Sequence, residues 1–296
     1  MEKLIVILGT TAAGKSDIGI RLAQKFNGEI ISADSRQVFR GLDLGSGKVT
    51  KEEQQMVPHH LIDVCEPGDF FSMADFQKLG YAAIEDVLQR GKTPFLVGGT
   101  GLYVDAITQG YQLSDKMPDL AYRAELEKLT TPELYAMLME KLPGYQVDAK
   151  NRNRVMRVLE KLHDGDDAIP SRSARYDCLL LGVNWEREVL KKRIDERLEK
   201  RFRMGMIDEI RGLMDKGVST EFLLGLGLEY RYITQYILGD IPSMEKLTEE
   251  LGNAIKRFAR RQMTWFRRHG DDIHWLDMTC DPDGEAEALI RAFLQK

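Results

Sequence analysis

Along the first hundred residues, apolar positions recur in one rhythm: a short apolar run, a turn, then a stretch with helical spacing. Residues 4–8 form an aliphatic run closed by Gly9, and residues 17–26 follow with Ile18, Leu22 and Phe26 on one side. Residues 29–33 predict a second strand ending at Asp34, and residues 61–64 a third. Phe76, Leu79, Ala83, Val87 and Leu88 predict a helix that leads into an apolar strand over 93–97, closed by Gly98 and Gly99. Apolar runs without polar alternation belong to strands covered on both faces, and strands alternating with helices predict a parallel sheet.

The texture changes at about Gly110. From 114 to about 175 the spacing is helical only, over 116–129, 131–141 and 151–163, and 165–177 reads as a loop. The apolar run CLLLGV (178–183) then predicts that the sheet resumes. The expected organisation is an α/β core over 1–112 and 178–296, with a parallel sheet and helices on both faces, carrying an all-helical insertion over 113–177. A long amphipathic helix begins near Trp185, with Leu190, Ile194, Leu198 and Phe202 on its apolar side. A basic helix is expected over roughly 250–268 and a last short strand over 274–276.

Composition narrows the class. The chain has 296 residues, 42 basic against 47 acidic, with 43% hydrophobic and 30% charged residues, which fits a globular chain rather than a disordered one. No apolar run is long enough to span a bilayer, and MEKLIVILGT has no leader pattern, so no membrane association is expected. Cys65, Cys178 and Cys280 form no CxxC pair, which argues against a disulfide framework or a structural zinc site and fits a cytoplasmic protein. The net charge of −5 favours no nucleic-acid partner, but the positive charge is concentrated. Residues 149–159 carry Lys150, Arg152, Arg154 and Arg157 without an acid. Residues 252–269 carry Lys256, Arg257, Arg260, Arg261, Arg267 and Arg268, again without an acid; taking those six charges out leaves −11 on the rest. Either stretch suits a phosphate backbone or an ordinary solvated helix face. Arg193, Arg197 and Arg201 form an i, i+4 row among Asp195, Glu196 and Glu199, which by itself reads as a salt-bridged face.

The sharpest chemical signal is GTTAAGKS at 9–16 (Gly9, Thr10, Thr11, Ala12, Ala13, Gly14, Lys15 and Ser16), which fits GxxxxGK[ST] in full between an apolar strand and a helix. Consecutive backbone N–H groups at a helix start form a concave anion site, Lys15 adds a positive charge, and Ser16 offers a hydroxyl to Mg²⁺. A phosphorylated ligand is expected, but such a loop does not fix the chemistry that follows. Asp34, at the carboxyl end of a strand, lies where open α/β sheets bind ligands. It reads as a magnesium ligand, a general base, or a helix cap. In VGGTGLY (97–103), Thr100 presents a hydroxyl at the same edge, and Gly98 and Gly99 allow close backbone approach to a ligand or a tight turn. The strand lacks the terminal Asp of a typical NTPase. His59 and His60 are adjacent, point in different directions and have no partner at ligand spacing, so no metal site is expected there.

In order along almost the whole chain, GTTAAGKS (9–16), ISADSRQVFRGLDLGSGK (31–48), HHLIDV (59–64), FSMADF (71–76), PFLVGGTGLYVDAI (94–107), NRNRVMRVLE (151–160), RIDER (193–197) and KRFARRQMTWFRR (256–268) resemble the tRNA dimethylallyltransferases (tRNA isopentenyltransferases). LGLGLEYRYI (224–233) departs from the commoner form of its motif. The resemblance implies a P-loop core with a helical insertion that grips tRNA. It implies transfer of a dimethylallyl group from dimethylallyl pyrophosphate to N6 of the adenosine 3′-adjacent to the anticodon. By the same resemblance, loop 9–16 holds the pyrophosphate with Mg²⁺ near Ser16. Asp34 is the base, and Thr100 and Arg197 contact the pyrophosphate. Ser35, Arg36, Gln37, Arg123, Asn153, Arg154 and Arg157 contact the tRNA anticodon stem-loop. A monomer is expected. Two other functions fit the same loop: prenylation of a free adenine nucleotide, and an RNA-binding nucleotide module without transfer.

Overall fold

The computed structural model describes residues 1–113, 119–166 and 171–296; positions 116–118 of the first insertion helix and 167–170 of the expected loop lie outside the described residues. The chain divides into two compact units, Met1–Gly110 with Ala174–Lys296, and Tyr111–Ser173.

Among the described residues the first unit contains one sheet in the order β3-β2-β4-β1-β5-β6, parallel throughout. Its strands are β1 (Glu2–Gly9), β2 (Gly28–Ala33), β3 (His59–His60), β4 (Thr93–Gly98), β5 (Tyr176–Asn184) and β6 (Ile273–Asp277). β1 lies inside, paired to β4 from Ile5↔Phe95 and to β5 from Glu2↔Tyr176, and Leu4, Ile5, Val6, Ile7 and Leu8 are fully buried. That placement is why its sequence shows no polar alternation. Helices α1 (Lys15–Lys25), α2 (Lys51–Met56), α3 (Met73–Gln89) and α4 (Gly101–Thr108) join the first strands. A capping box between Ser72 and Asp75 starts α3. The strand expected over 61–64 does not form. Only His59 and His60 pair with β2, and Leu61 (φ 62°) and Asp63 (φ 55°) then take left-handed conformations that end extension. Leu61 is apolar because it is buried in the core under α3, not because it belongs to a ladder.

The second unit contains α5 (Leu120–Glu127), α6 (Thr131–Lys141) and α7 (Arg152–His163) around its own core of Leu126, Leu134, Leu138, Val155, Met156 and Leu159. Arg152 donates Nη2–H to the carbonyls of Glu127 (2.9 Å) and Leu126 (3.3 Å), satisfying the open end of α5. The basic start of α7 is therefore partly structural.

Back in the first unit come α8 (Arg187–Arg203), α9 (Met206–Asp215), α10 (Thr220–Leu226), α11 (Leu228–Leu238), α12 (Met244–Phe266) and α13 (Pro282–Leu294). Ile194 and Leu198 of α8 pack with Ile210, Leu223, Tyr230, Ile233 and Leu251 in a core separate from the sheet's. No described helix is long and apolar enough to cross a membrane.

Candidate active site

β1 delivers the chain to the loop, and α1 starts at its far end. Gly14 is left-handed (φ 95°), as is Ala12 (φ 62°), and no side chain caps the start of α1, so its first amides stay available to an anion. Lys15 folds back and donates Nζ–H to the Thr10 carbonyl at 2.7 Å. Burial above all, then the charge of Arg197, pushes Lys15 down to about 8, with the Asp34 carboxylate opposing. The outer side of the loop is braced by α8 and its approach: Trp185 donates its indole N–H to the Ala13 carbonyl (2.8 Å), and Arg193 donates Nε–H to the Ala12 carbonyl (3.0 Å). Arg197 donates to the Thr11 hydroxyl. The buried Thr10 hydroxyl has no hydrogen-bond partner among the described residues.

The row Arg193, Arg197 and Arg201 is thus not the salt-bridged face that its spacing suggested. Arg193 and Arg197 turn to the loop, while Asp195 pairs instead with Lys256 of α12 at 2.7 Å. Burial, then Arg201 and, less, Arg193, push Arg197 down to about 9, opposed by Glu229 and Asp34.

Asp34 follows the end of β2. Its Oδ1 accepts the Arg36 N–H at 2.8 Å, a tight turn that removes the helix-cap reading: the next helix begins at Lys51, capped by Thr50. Thr100 Oγ1 accepts the Ser35 N–H at 3.1 Å, tying the loop after β4 to the turn after β2. Gln37 is held by the Ser32 hydroxyl (3.1 Å) and donates to the Gly47 carbonyl (3.2 Å). A Cβ on Gly98 would lie 2.2 Å from the Ala33 carbonyl oxygen, and one on Gly99 2.7 Å from Gln262 Nε2, so both glycines are required for close packing. Gln262 of α12 links the two strand-end loops: its Oε1 accepts the Thr11 N–H and its Nε2 donates to the Gly99 carbonyl, both at 2.8 Å.

A cavity of about 760 Å³ is lined by Lys15, Ser16, Asp34, Gln37, Thr100 and Arg197. A stripe of α12 at helical spacing, Ala254, Arg257, Phe258, Arg261, Gln262 and Trp265, forms another wall. The Trp265 indole donates to Asp105 Oδ2 at 2.8 Å, and His269 sits 2.8 Å from Asp105 Oδ1, which fixes that wall. A second cavity, of about 780 Å³, shares Lys15, Ser16, Gly47, Val49, Arg197 and Arg201 with the first. The cations therefore stand where the two cavities meet.

Of the residues singled out from sequence, loop 9–16, Asp34, Ser35, Arg36, Gln37, Thr100 and Arg197 come together in the first unit. Arg123, Asn153, Arg154 and Arg157 belong to the second. There Asn153 and Arg154 are exposed, while Arg123 and Arg157 pair with the buried Glu160 at 3.3 and 3.2 Å. Gln262, Asp105 and Arg201 were not anticipated. The one sequence signal for Gln262 is its place as the polar residue among the buried positions Leu251, Ile255, Ala259 and Phe266 of α12. His59 and His60 are taken by the Val57 carbonyl and Glu29, each at 2.7 Å. Among the described residues no group of three or more His, Cys, Asp or Glu could hold a metal ion.

The sequence matches the family profile described as IPP transferase over residues 37–269, and one described as isopentenyl transferase over 2–64. It is 45% identical over 286 residues to "tRNA dimethylallyltransferase 2" of Shewanella sediminis, covering 94% of each chain. It is 42% identical over 299 residues to the protein of the same name from Syntrophotalea carbinolica, covering 98% of each. The fold matches that of the tRNA isopentenylpyrophosphate transferase of Bacillus halodurans with a TM-score of 0.75 at 36% identity, over 100% of this chain and 97% of that one. A eukaryotic dimethylallyltransferase acting on tRNA gives 0.81 at 24% identity, over 100% of this chain and 80% of that one, a likeness of fold.

Proposed function

This chain belongs to the IPP transferase family, and from that premise we propose that it transfers the dimethylallyl group of dimethylallyl pyrophosphate to N6 of the adenosine 3′-adjacent to the anticodon of tRNA. The observation that carries the reading is that the anion cradle at Lys15 and Arg197 shares one cavity with Asp34 and Thr100.

Loop 9–16 takes the donor's diphosphate on the free amides of α1 and on Lys15, with Arg197 beside it. Diphosphate departure builds negative charge, which preorganised N–H groups and cations stabilise without rearranging. Two residues on, the Arg36 amide occupies Asp34 Oδ1, so Oδ2 is left to accept a hydrogen bond from the adenine amine. As the amine nitrogen bonds to the prenyl carbon, the carbon–oxygen bond to the diphosphate breaks and Asp34 takes the amine proton. Thr100 holds the turn that carries Asp34 and offers its own hydroxyl to the diphosphate. The Ser16 hydroxyl, which lines the cavity, would hold a Mg²⁺ that arrives with the donor's phosphates. When bound it neutralises charge on the leaving group.

The acceptor must leave its stack to reach such a cavity, and a cation- and aromatic-lined wall suits an unstacked base. Ser35, Arg36 and Gln37 and the α12 stripe with Arg257 and Arg261 contact the RNA from the first unit. Arg123, Asn153, Arg154 and Arg157 contact it from the second.

Incubation with dimethylallyl pyrophosphate and either anticodon stem-loop RNA or AMP, ADP and ATP tests the acceptor. RNA prenylated at that adenosine with release of pyrophosphate is expected. Prenylated free nucleotide with unmodified RNA contradicts the reading.

A further inference from the structure

Among the described residues, Arg201 is the one cation at the junction of the two cavities with no role in the scheme above. Its side chain is 13% exposed, and its Nη1 lies 3.5 Å from Oε1 of Glu229, itself 12% exposed. That single long contact leaves most of a five-donor fork unused, and no hydrogen bond to it is seen among the described residues. Arginine–carboxylate pairs built for stability are usually short and bidentate. The guanidinium also occupies space that only glycine leaves open: a Cβ on Gly47 would lie 1.7 Å from Nη2. Gly47 has φ 66°, on the same loop whose carbonyl takes Gln37. Arg201 is close enough to Arg197 to be the largest charge acting against it, and both line both cavities. Two neighbouring buried guanidiniums and a lysine with little opposing carboxylate are a costly arrangement unless an anion with several charges completes it.

We infer that Arg201 is a further donor-binding residue, whose guanidinium, braced by Glu229 and accommodated by Gly47, contacts the diphosphate beside Lys15 and Arg197. The inference rests on the function proposed above. Glu229 then acts as a positioning residue: it holds one edge of the fork and leaves the other to the ligand. The site is selective for a diphosphate ester over a monophosphate, because the second phosphate is the one that reaches Arg201.

Calorimetric titration with inorganic pyrophosphate, and in parallel with inorganic phosphate, tests this. The pair is removed together in the double variant Arg201→Met/Glu229→Gln, so that no buried charge is left alone. About tenfold weaker pyrophosphate binding is expected, with phosphate binding changed about twofold or less. Arg201→Lys keeps the charge and the ion pair but not the fork, and tests the contact even if the double variant folds poorly; about threefold weaker pyrophosphate binding is expected. Wild-type pyrophosphate affinity in either variant, while Lys15→Ala loses binding, overturns the role of Arg201 and leaves the proposed function standing. Wild-type affinity in Lys15→Ala as well overturns the placement of the diphosphate, and this inference with it.

Discussion

At the start of β2, Glu29 is a carboxylate with a 2% exposed side chain, held by Arg90 Nη2, Lys92 Nζ and His60 Nε2, each at 2.7 Å. At the other end of the same strand, the Asp34 carboxylate acts on Lys15 and Arg197, and Arg197 is itself crowded by Arg201 and Arg193 with only Glu229 besides to oppose them, so the cations there outnumber the carboxylates. The consequences run in opposite directions. Bonding to Arg90 first, then to Lys92 and His60, holds the Glu29 carboxyl far below the usual carboxylate range. Burial and mutual repulsion push Lys15 and Arg197 below their usual values. The first cluster is closed: its charges satisfy one another and serve the fold. The second leaves its positive charge uncompensated, which is the arrangement the proposed diphosphate site requires and a structural ion pair does not.

That contrast can be broken at several points. The largest effect is expected from Asp34→Ala, which removes the proton acceptor while leaving the cation group intact: transfer in a single-turnover assay falls about 10²- to 10⁴-fold, with pyrophosphate affinity held. Next, Lys15→Ala weakens pyrophosphate binding by about 10- to 100-fold in calorimetry, yet its melting temperature without ligand does not fall, since a crowded buried cation is removed. The matching change at the closed end has the reverse profile. Glu29→Gln costs about 2 kcal/mol in denaturant unfolding, and donor binding by the folded fraction is unchanged.

Two pH effects are smaller and follow from the shifts. The folded-state pKa of Glu29 is depressed, so its stabilisation is fully present above the unfolded carboxylate value of roughly 4.3 and is lost as pH falls below it. Glu29→Gln should therefore flatten the acid limb of a stability–pH curve. Lys15, at about 8 against an ordinary 10.5, binds fewer protons folded than unfolded through that interval, so its contribution to stability rises with pH there. Pyrophosphate affinity moves the other way and drops about tenfold by one pH unit above 8, as the ammonium form is depleted. Lys15→Ala reduces that dependence to the part left by Arg197, itself pushed down to about 9.

What was legible from sequence tracks the range of the interactions. GTTAAGKS is a local motif whose amides, lysine and serine lie within one turn, and Asp34 is marked by its place after an apolar strand. The spacing of Arg193 and Arg197 hid where they point, because their partners, Ala12 and Thr11, lie far away in sequence whereas the acids at 195, 196 and 199 are neighbours; only the resemblance singled out Arg197. Gln262 reaches across more than two hundred residues to Thr11, and nothing in its own segment records that. In the fold, the strands buried on both faces were readable as apolar runs, and the turn at 61–64 imitated one in part because Leu61 packs in the core. Helices α2, α4, α9, α10, α11 and α13 were not anticipated.

The central claim is that one cavity places the diphosphate on the cations and the adenine amine on Asp34. The most direct measurement is the structure of the complex with an unreactive donor analogue and anticodon stem-loop RNA. The account predicts diphosphate oxygens on Lys15 and Arg197, and the adenine N6 about 3 Å from the Asp34 carboxylate. An adenine held away from Asp34, or a diphosphate bound outside loop 9–16, would contradict it.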